Sequence, residues 1–314
     1  MRILLTRFQG IIEICDVERI GDFIQFGAVF PQLNIGADRL AIRDYAQSVE
    51  GLGFAHITAY DHVVGADPTF YPGWSGFYDY QDTFHEPLVL FGFLAGLCDL
   101  ELATGILILP QRQATLVAKQ AAEVDILSGG RLRLGVGIGW NSVEYDALGE
   151  RFENRGRRME EQVALLRELW SSSVVEFRGA FHEVIGVGIA PPPVQQPIPI
   201  WMGAVADNAA LARVGRIADG WFCTRVPGPK VDKALQKIRD AATAAGRDPF
   251  DVGIEGRVDV GDGDLHRIVE EVEGWRAIGA THVSFGTMKA GLENVEQHVA
   301  ALKAALGVSV TDKD

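Results

Sequence analysis

An α/β fold, a parallel (β/α)8 barrel, is what the sequence predicts, and three observations predict it. Eight short apolar runs recur along the chain, amphipathic helical segments separate them, and no true dinucleotide-binding fingerprint interrupts the series. The runs are IQFGAVF (24–30), AHITAY (55–60), LELATGILIL (100–109), LRLGVGI (132–138), IPIWMG (198–203), DGWFCT (219–224), VGIEGRVDV (252–260) and THVSFGT (281–287). Helical periodicity fills 38–53, 113–130, 157–170, 208–218, 230–246, 264–279 and 294–307. Glu86-Pro87 reads as one more helix start, with proline in the first turn and an acid near the positive end of the dipole. Three junctions, at 51–59, 213–222 and 276–285, repeat the order helix, glycine, small turn, strand. Glycine supplies the left-handed stop that lets the chain return to the sheet. A doubly wound open sheet would share this alternation, but the count of eight strands favours the barrel.

Two regions break the rhythm. Residues 61–85 are too long for an ordinary strand–helix loop and carry Phe70, Tyr71, Trp74, Phe77, Tyr78, Tyr80 and Phe84. Such aromatic content argues against disorder and suits either a lid over an apolar or aromatic substrate or a loop packed against a neighbouring subunit. Residues 172–197 read as a short hairpin followed by a proline-rich return. The expected organisation is a single barrel domain over 24–308 with an insertion around 172–197. Residues 1–23 form an N-terminal extension to which no function is assigned, and 309–314 form a tail.

Composition narrows the partners. The 314 residues are 47% hydrophobic and carry a formal net charge of −13, which argues against a nucleic-acid or anionic-membrane partner. The first 23 residues lack the uninterrupted apolar core and small-residue cleavage site of a secretory signal, and no window is long enough to span a bilayer. Three scattered cysteines (Cys15, Cys98 and Cys223) fit a reducing cytoplasm. The histidines outside the candidate site show no ligand spacing, so no metal is expected.

Two stretches carry candidate chemistry. The run GVGIGW (135–140) fails as G-x-G-x-x-G in both registers, because Trp140 and Ser142 fall where the third glycine is required. Its glycines either let the fourth strand pack closely or leave room for a flat cofactor, and their place at the carboxyl end of a barrel strand favours the second. Asp61-His62 emerges where the second strand ends. Either residue could cap a loop, but histidine at a barrel mouth suits proton transfer near neutrality.

The block ATGILILPQRQATLVAKQAAEVDILSGGRLRLGVGIGWN (103–141), with Asp61-His62 and PIWMGAVADNAALARVGRIADGWF (199–222), resembles the luciferase-like monooxygenase superfamily, and within it the branch using coenzyme F420. The resemblance implies a cofactor lying across the barrel mouth, a small-molecule substrate and a homodimer. It further implies a non-prolyl cis peptide at Gly105-Ile106 backing the flat ring, with Leu107 following against it. Asp61 and His62 would stand at the reactive edge, and Gly139, Trp140 and Asn141 would line the pocket floor. Backbone amides of Gly203, Ala204 and Val205 would hold the cofactor phosphate at a helix N-terminus.

Departures from relatives sharpen the cofactor. Gly156 stands where many FMN-using relatives carry Tyr, and Ala204 and Val205 offer no hydroxyl, so FMN is the alternative rather than the first choice. Trp140 replaces the acid of sugar-phosphate dehydrogenases, and Ala66 stands where they carry Trp, which disfavours that substrate. Arg155, Arg157 and Arg158 read as a solvated or salt-bridged helix face rather than a phosphate site. The expected activity is hydride transfer between F420 and a small organic substrate. The alternatives are an FMN-dependent monooxygenase and a non-catalytic F420-binding protein.

Overall fold

The computed structural model describes residues 24–205 and 208–310. The barrel strands are β1 (Gln25–Val29), β2 (His56–Ala59), β3 (Glu101–Thr104, resumed at Leu107–Ile108), β4 (Leu132–Gly137), β5 (Ile200–Gly203), β6 (Gly220–Cys223), β7 (Gly253–Asp259) and β8 (His282–Gly286). Every neighbouring pair is parallel, and β8 pairs back onto β1 with Gln25 opposite His282, which closes the sheet. One long helix follows each strand: α1 (Arg39–Gly51), α2 (Pro87–Leu94), α3 (Ala114–Leu127), α4 (Arg155–Ser171), α5 (Asn208–Ile217), α6 (Pro229–Ala244), α7 (Leu265–Ala277) and α8 (Val295–Ser309). This is the (β/α)8 order that the sequence predicts. The extension at 1–23 and residues 311–314 lie outside the described residues. No described helix is long and apolar enough to cross a membrane.

Local chemistry sets the boundaries. Asp38, Glu86, Asp264 and Asn294 each accept a backbone N–H of the helix they precede, satisfying donors the first turn leaves free. The expected insertion is a hairpin of Val175–Arg178 against Glu183–Val187. Glu161 of α4 secures it by accepting the backbone N–H groups of Ala180, Phe181 and His182 at 2.7, 2.8 and 2.6 Å. The expected single strand over 100–109 is instead split. Its ladder stops at the Gly105-Ile106 peptide, which is cis, and Leu109–Gln111 already turns as a 3-10 helix. Two further short helices, Gln32–Ile35 and Ser142–Ala147, sit in mouth loops where periodicity gives no signal.

The barrel axis is charged. Arg133 of β4 donates to Glu101 of β3 at 2.6 Å and to Glu255 of β7 across the barrel, and its guanidinium lies 4.4 Å from the Trp201 ring centroid. Glu255 also accepts from Ser284 and faces His56 Nε2 at 3.2 Å. Strand glycines make the space for these large groups. A Cβ on Gly27 would overlap the His56 ring, and one on Gly220 or Gly253 would overlap the Trp201 indole. Apolar residues from strands and helices close around the axis, with Leu102, Leu134, Ile200, Trp221 and Phe285 fully or almost fully buried.

This axis makes stability pH-dependent. Burial, together with the charges of Arg133 and His56, pushes His282 from 6.5 down to about 3. Against the upward push of burial, Arg133 and His56 hold the Glu255 carboxyl well below its usual range. Both groups bind protons more readily in the unfolded chain, so stability falls as pH drops from 6.5 toward 3, and Glu255 adds its loss below 4.5. Thermal melts across this range are expected to show that decline. In His282→Gln the slope between pH 6.5 and 4.5 is expected to flatten; an unchanged slope would remove His282 from this account.

Candidate active site

The mouth is built from the carboxyl ends of the strands, where the chain leaves the sheet and side chains become available to a ligand. Tyr60, Asp61 and His62 follow β2, and the structure gives each a different environment. Asp61 is buried, and both of its oxygens are occupied. Oδ2 accepts the Ile108 backbone N–H at 2.9 Å, and Oδ1 accepts Arg112 Nη2 at 2.7 Å. Burial pushes its carboxyl up, and Arg112 pulls against that push. Arg112 also pairs with Glu86 at 2.9 Å, so the chain Asp61–Arg112–Glu86 ties the loop after β2 to β3 and to the start of α2. Asp61, expected at the reactive edge, braces the loop through one hydrogen bond to each of its oxygens.

His62 is different. Its ring packs on Phe84, Tyr78 and Trp140 at centroid distances of 4.6, 5.2 and 5.8 Å. Nδ1 lies 3.3 Å from both oxygens of Glu144, whose side chain is wholly buried. A carboxylate at Nδ1 fixes the proton there and leaves Nε2 as an acceptor. Glu144 also accepts the Val63 N–H at 2.8 Å, so it holds ring and backbone together. His62 lines an outer cleft of about 340 Å³ with Val64, Tyr78, Asp79, Tyr80 and Asn141.

The aromatic loop roofs this cleft. Trp74 and Phe77 each pack 5.7 Å from Trp140, and Lys289 of the loop after β8 donates to the Phe77 carbonyl at 3.3 Å while lying over the Tyr78 ring. Phe70, Phe77 and Tyr80 keep most of their surface exposed. Trp140, expected on the pocket floor, therefore stands at the rim beneath the loop and is 37% exposed. Asn141 is buried, caps the Ser142–Ala147 helix by accepting the Val143 N–H, and contributes to the cleft wall.

A second, inner seat of only about 30 Å³ lies on the barrel axis. Gly105 forms one wall and Arg257, Glu255 and Ser284 the opposite one, with Thr58, Tyr60 and Phe222 between. Gly105 has no room for a side chain, since a Cβ would meet Thr58 Cγ2 at 2.3 Å. The Tyr60 hydroxyl accepts Arg257 Nη1 at 2.9 Å, and burial pushes its pKa up to about 12 despite Arg257.

The glycines of 135–139 do not open onto a ring. A Cβ on Gly135 would lie 1.8 Å from the Thr104 carbonyl oxygen and 2.6 Å from Phe222. One on Gly137 would meet Ile106 Cδ1 at 2.4 Å, and one on Gly139 would meet Ile108 Cγ2 at 2.8 Å. The space is taken by protein, so the close-packing alternative holds and the flat-cofactor one does not. Leu107 is also corrected, because it is fully buried in the core and offers no surface to the mouth. Ile106 is the residue displayed there, reaching over Gly137 and within 3.2 Å of the Cβ position of Gly203.

At the end of β5, the Ala204 carbonyl accepts Trp221 Nε1 at 2.8 Å and the Val205 carbonyl accepts Arg225 Nε at 3.0 Å. This fixes the segment that leads into α5. The expected salt-bridged face of α4 is present: Arg158 pairs with Glu150, and Arg155 stacks on Phe152.

The sequence reading missed Tyr60, Arg112, Glu144 and Arg257. Asn141 and Glu144 have the spacing of a helix-capping pair, which hides the reach of Glu144 toward His62. Nothing local marks Arg257, whose partner Tyr60 is 197 residues away in sequence.

Comparison with known proteins identifies the family. The model of the luciferase-like monooxygenase family matches residues 25–305. The chain belongs to that family. An uncharacterised protein of Mycobacterium tuberculosis (strain ATCC 25618 / H37Rv) is 36% identical over 48% of this chain and 51% of its own length. An F420-dependent glucose-6-phosphate dehydrogenase of Amycolatopsis mediterranei is 34% identical over 44% of this chain and 42% of its own. The chain thus spans about half the length of the first curated relatives it matches. Among solved structures, an F420-dependent secondary alcohol dehydrogenase in complex with an F420-acetone adduct superposes with a TM-score of 0.73. That match covers 92% of this chain and 99% of the other at 16% identity, a likeness of fold.

The steric reading of the glycines is testable. Gly135→Ala is expected to cost about 1–3 kcal/mol or more, because the atom in the way is backbone. Gly92→Ala in α2, where nothing lies within 4 Å, is expected to be neutral or to gain up to about 1 kcal/mol. Urea denaturation of both variants measures the contrast, and equal stabilities would contradict it.

Proposed function

We propose that the chain is an oxidoreductase using coenzyme F420 to pass hydride to or from a small, apolar or aromatic organic substrate. The observation that carries this reading is the mouth itself, where Gly105 lines the inner seat and His62, held by Glu144, lines the outer cleft. The F420 dependence named for the Amycolatopsis relative supports the cofactor, as do Ala204 and Val205, which lack the hydroxyl that suits FMN.

When bound, a deazaflavin supplies a two-electron hydride carrier, and the protein's part is to orient it and manage protons. Gly105 and Ile106 would support one ring face. Backbone amides of Gly203, Ala204 and Val205 precede α5, whose positive end suits a phosphate. Trp221 and Arg225 hold that segment by its carbonyls. His62, oriented by Glu144, holds or exchanges a proton at Nε2 in the outer cleft. Asp61 keeps its place in the reading as the brace of the Ile108 backbone. The aromatic loop would cover His62 and offer a substrate aromatic contacts from Tyr78, Tyr80 and Phe84 beside the polar Asp79, Asp82 and Asn141.

Titration of the purified protein is expected to give stoichiometric binding of F420, read by its fluorescence, and no comparable response to FMN. Tight FMN binding without an F420 response would overturn the reading. His62→Ala is expected to lower turnover about 100-fold while leaving F420 affinity unchanged. Unchanged turnover would remove His62 from the chemistry.

A further inference from the structure

We infer that the outer cleft is a seat for an organic cation, which makes the substrate class a small aromatic ammonium ion that also carries a hydrogen-bond acceptor. The inference deepens the proposed function and rests on it only for calling the occupant a substrate. The selectivity of the cleft stands on its own geometry.

The hydrogen-bonding groups left over in this cleft are mostly acceptors. Asp79 and Asp82 both line it and are half-buried. Asp79 Oδ1 accepts the Gln81 N–H and Asp82 Oδ2 accepts the Asp79 N–H, each at 2.8 Å, which fixes both carboxyl groups on the loop. The second oxygen of each accepts from no other described residue. His62 adds Nε2, the acceptor that its contact with Glu144 leaves. An ammonium group has donors only, three on one nitrogen, and matches such a set.

Charge points the same way. No lysine or arginine lines the cleft, and among the described residues neither Asp79 nor Asp82 forms an ion pair. A carboxylate taken partly out of water without a cation is costly, and a bound cation offsets that cost. Glu144, wholly buried behind His62, adds negative charge to the wall. Tyr78, Tyr80 and Phe84 supply ring faces, which attract cations. Lys289 already shows an ammonium on this roof: Nζ lies 4.4 Å from the Tyr78 ring centroid, and it is given to the Phe77 carbonyl. An anion would meet two carboxylates in the cleft and no cation.

Asn141 points to an occupant independently of the carboxylates. It is 2% exposed, and its Oδ1 is committed to the Val143 N–H at 3.0 Å. Nδ2 finds no acceptor among the described residues, and the residue lines the cleft. A buried amide donor calls for a partner, so the cation carries an oxygen or ring nitrogen besides its ammonium group.

Three probes that share one phenol ring and differ in charge test this. Tyramine, tyrosol and 4-hydroxyphenylacetate carry an ammonium, a hydroxyl and a carboxylate at the same end. Ligand-observed NMR titrations use the full-length protein at pH 7 and low salt, with and without F420. Tyramine is expected to bind about 10-fold more tightly than tyrosol, and 4-hydroxyphenylacetate not measurably. Asp79→Asn and Asp82→Asn keep the oxygen that each backbone N–H needs, and circular dichroism checks their fold. In the double variant tyramine is expected to fall to the affinity of tyrosol, while tyrosol is unchanged. Equal affinities in the wild type, no binding of any probe, or a tyramine preference that survives in the double variant overturns the inference. If F420 fails to bind while the preference is present and depends on the aspartates, the cofactor reading falls and the cation seat stands. If F420 binds and the preference is absent, the cation seat falls alone.

Discussion

The ion pair between Arg133 and Glu255 is the constraint around which the barrel is arranged. It crosses the axis from β4 to β7, draws in Glu101, Ser284 and His56, and lays a guanidinium on the face of Trp201. A buried charge is tolerated only when paired and hydrogen-bonded, and removing one member of such a pair typically costs about 3–5 kcal/mol. The bulk of this cluster then dictates its surroundings. Gly27, Gly220 and Gly253 are small because His56 and Trp201 occupy the volume their side chains would need. Above the cluster, Glu255 and Ser284 also line the inner seat, so the element that fixes strand positions also sets the polarity there.

The mouth is braced in a second way. Asp61 joins the backbone of Ile108 to Arg112, and Arg112 continues to Glu86 at the start of α2. The loops after β2 and β3 are thereby one mechanical unit. Glu144 extends the unit to the helix after β4 by holding His62, Val63 and Val64 together. Nε2 of His62, left as an acceptor in the outer cleft, is a surface that this bracing does not consume.

Most of the fold was legible because it depends on short-range pattern. Apolar runs, helical periodicity and glycine stops mark all eight strands, and their boundaries in the structure fall within the predicted runs. The cis peptide at Gly105-Ile106 was legible only through family resemblance, as composition gives no sign of it. What stayed hidden depends on neighbours across the barrel. Whether Gly137 faces a cofactor or Ile106 turns on how the split of β3 aims one side chain, and Leu107 was misplaced for the same reason. Asp61 looked chemically free because its partners Ile108 and Arg112 are 47 and 51 residues away.

Gly135 and Gly137 look alike in sequence, yet they are closed by different kinds of matter. Gly135 is blocked by the carbonyl of Thr104, part of a strand that cannot retreat, whereas Gly137 is blocked by the terminal carbons of Ile106. The first position is fixed by the barrel itself. The second is one half of a shared volume. Enlarging residue 137 while shortening residue 106 would move the wall of the mouth without disturbing the ladder, and changing either alone would leave a clash or a hole. Reshaping this mouth for a bulkier molecule is therefore a matter of exchanging pairs, with Gly137 and Ile106 the first pair the structure leaves open.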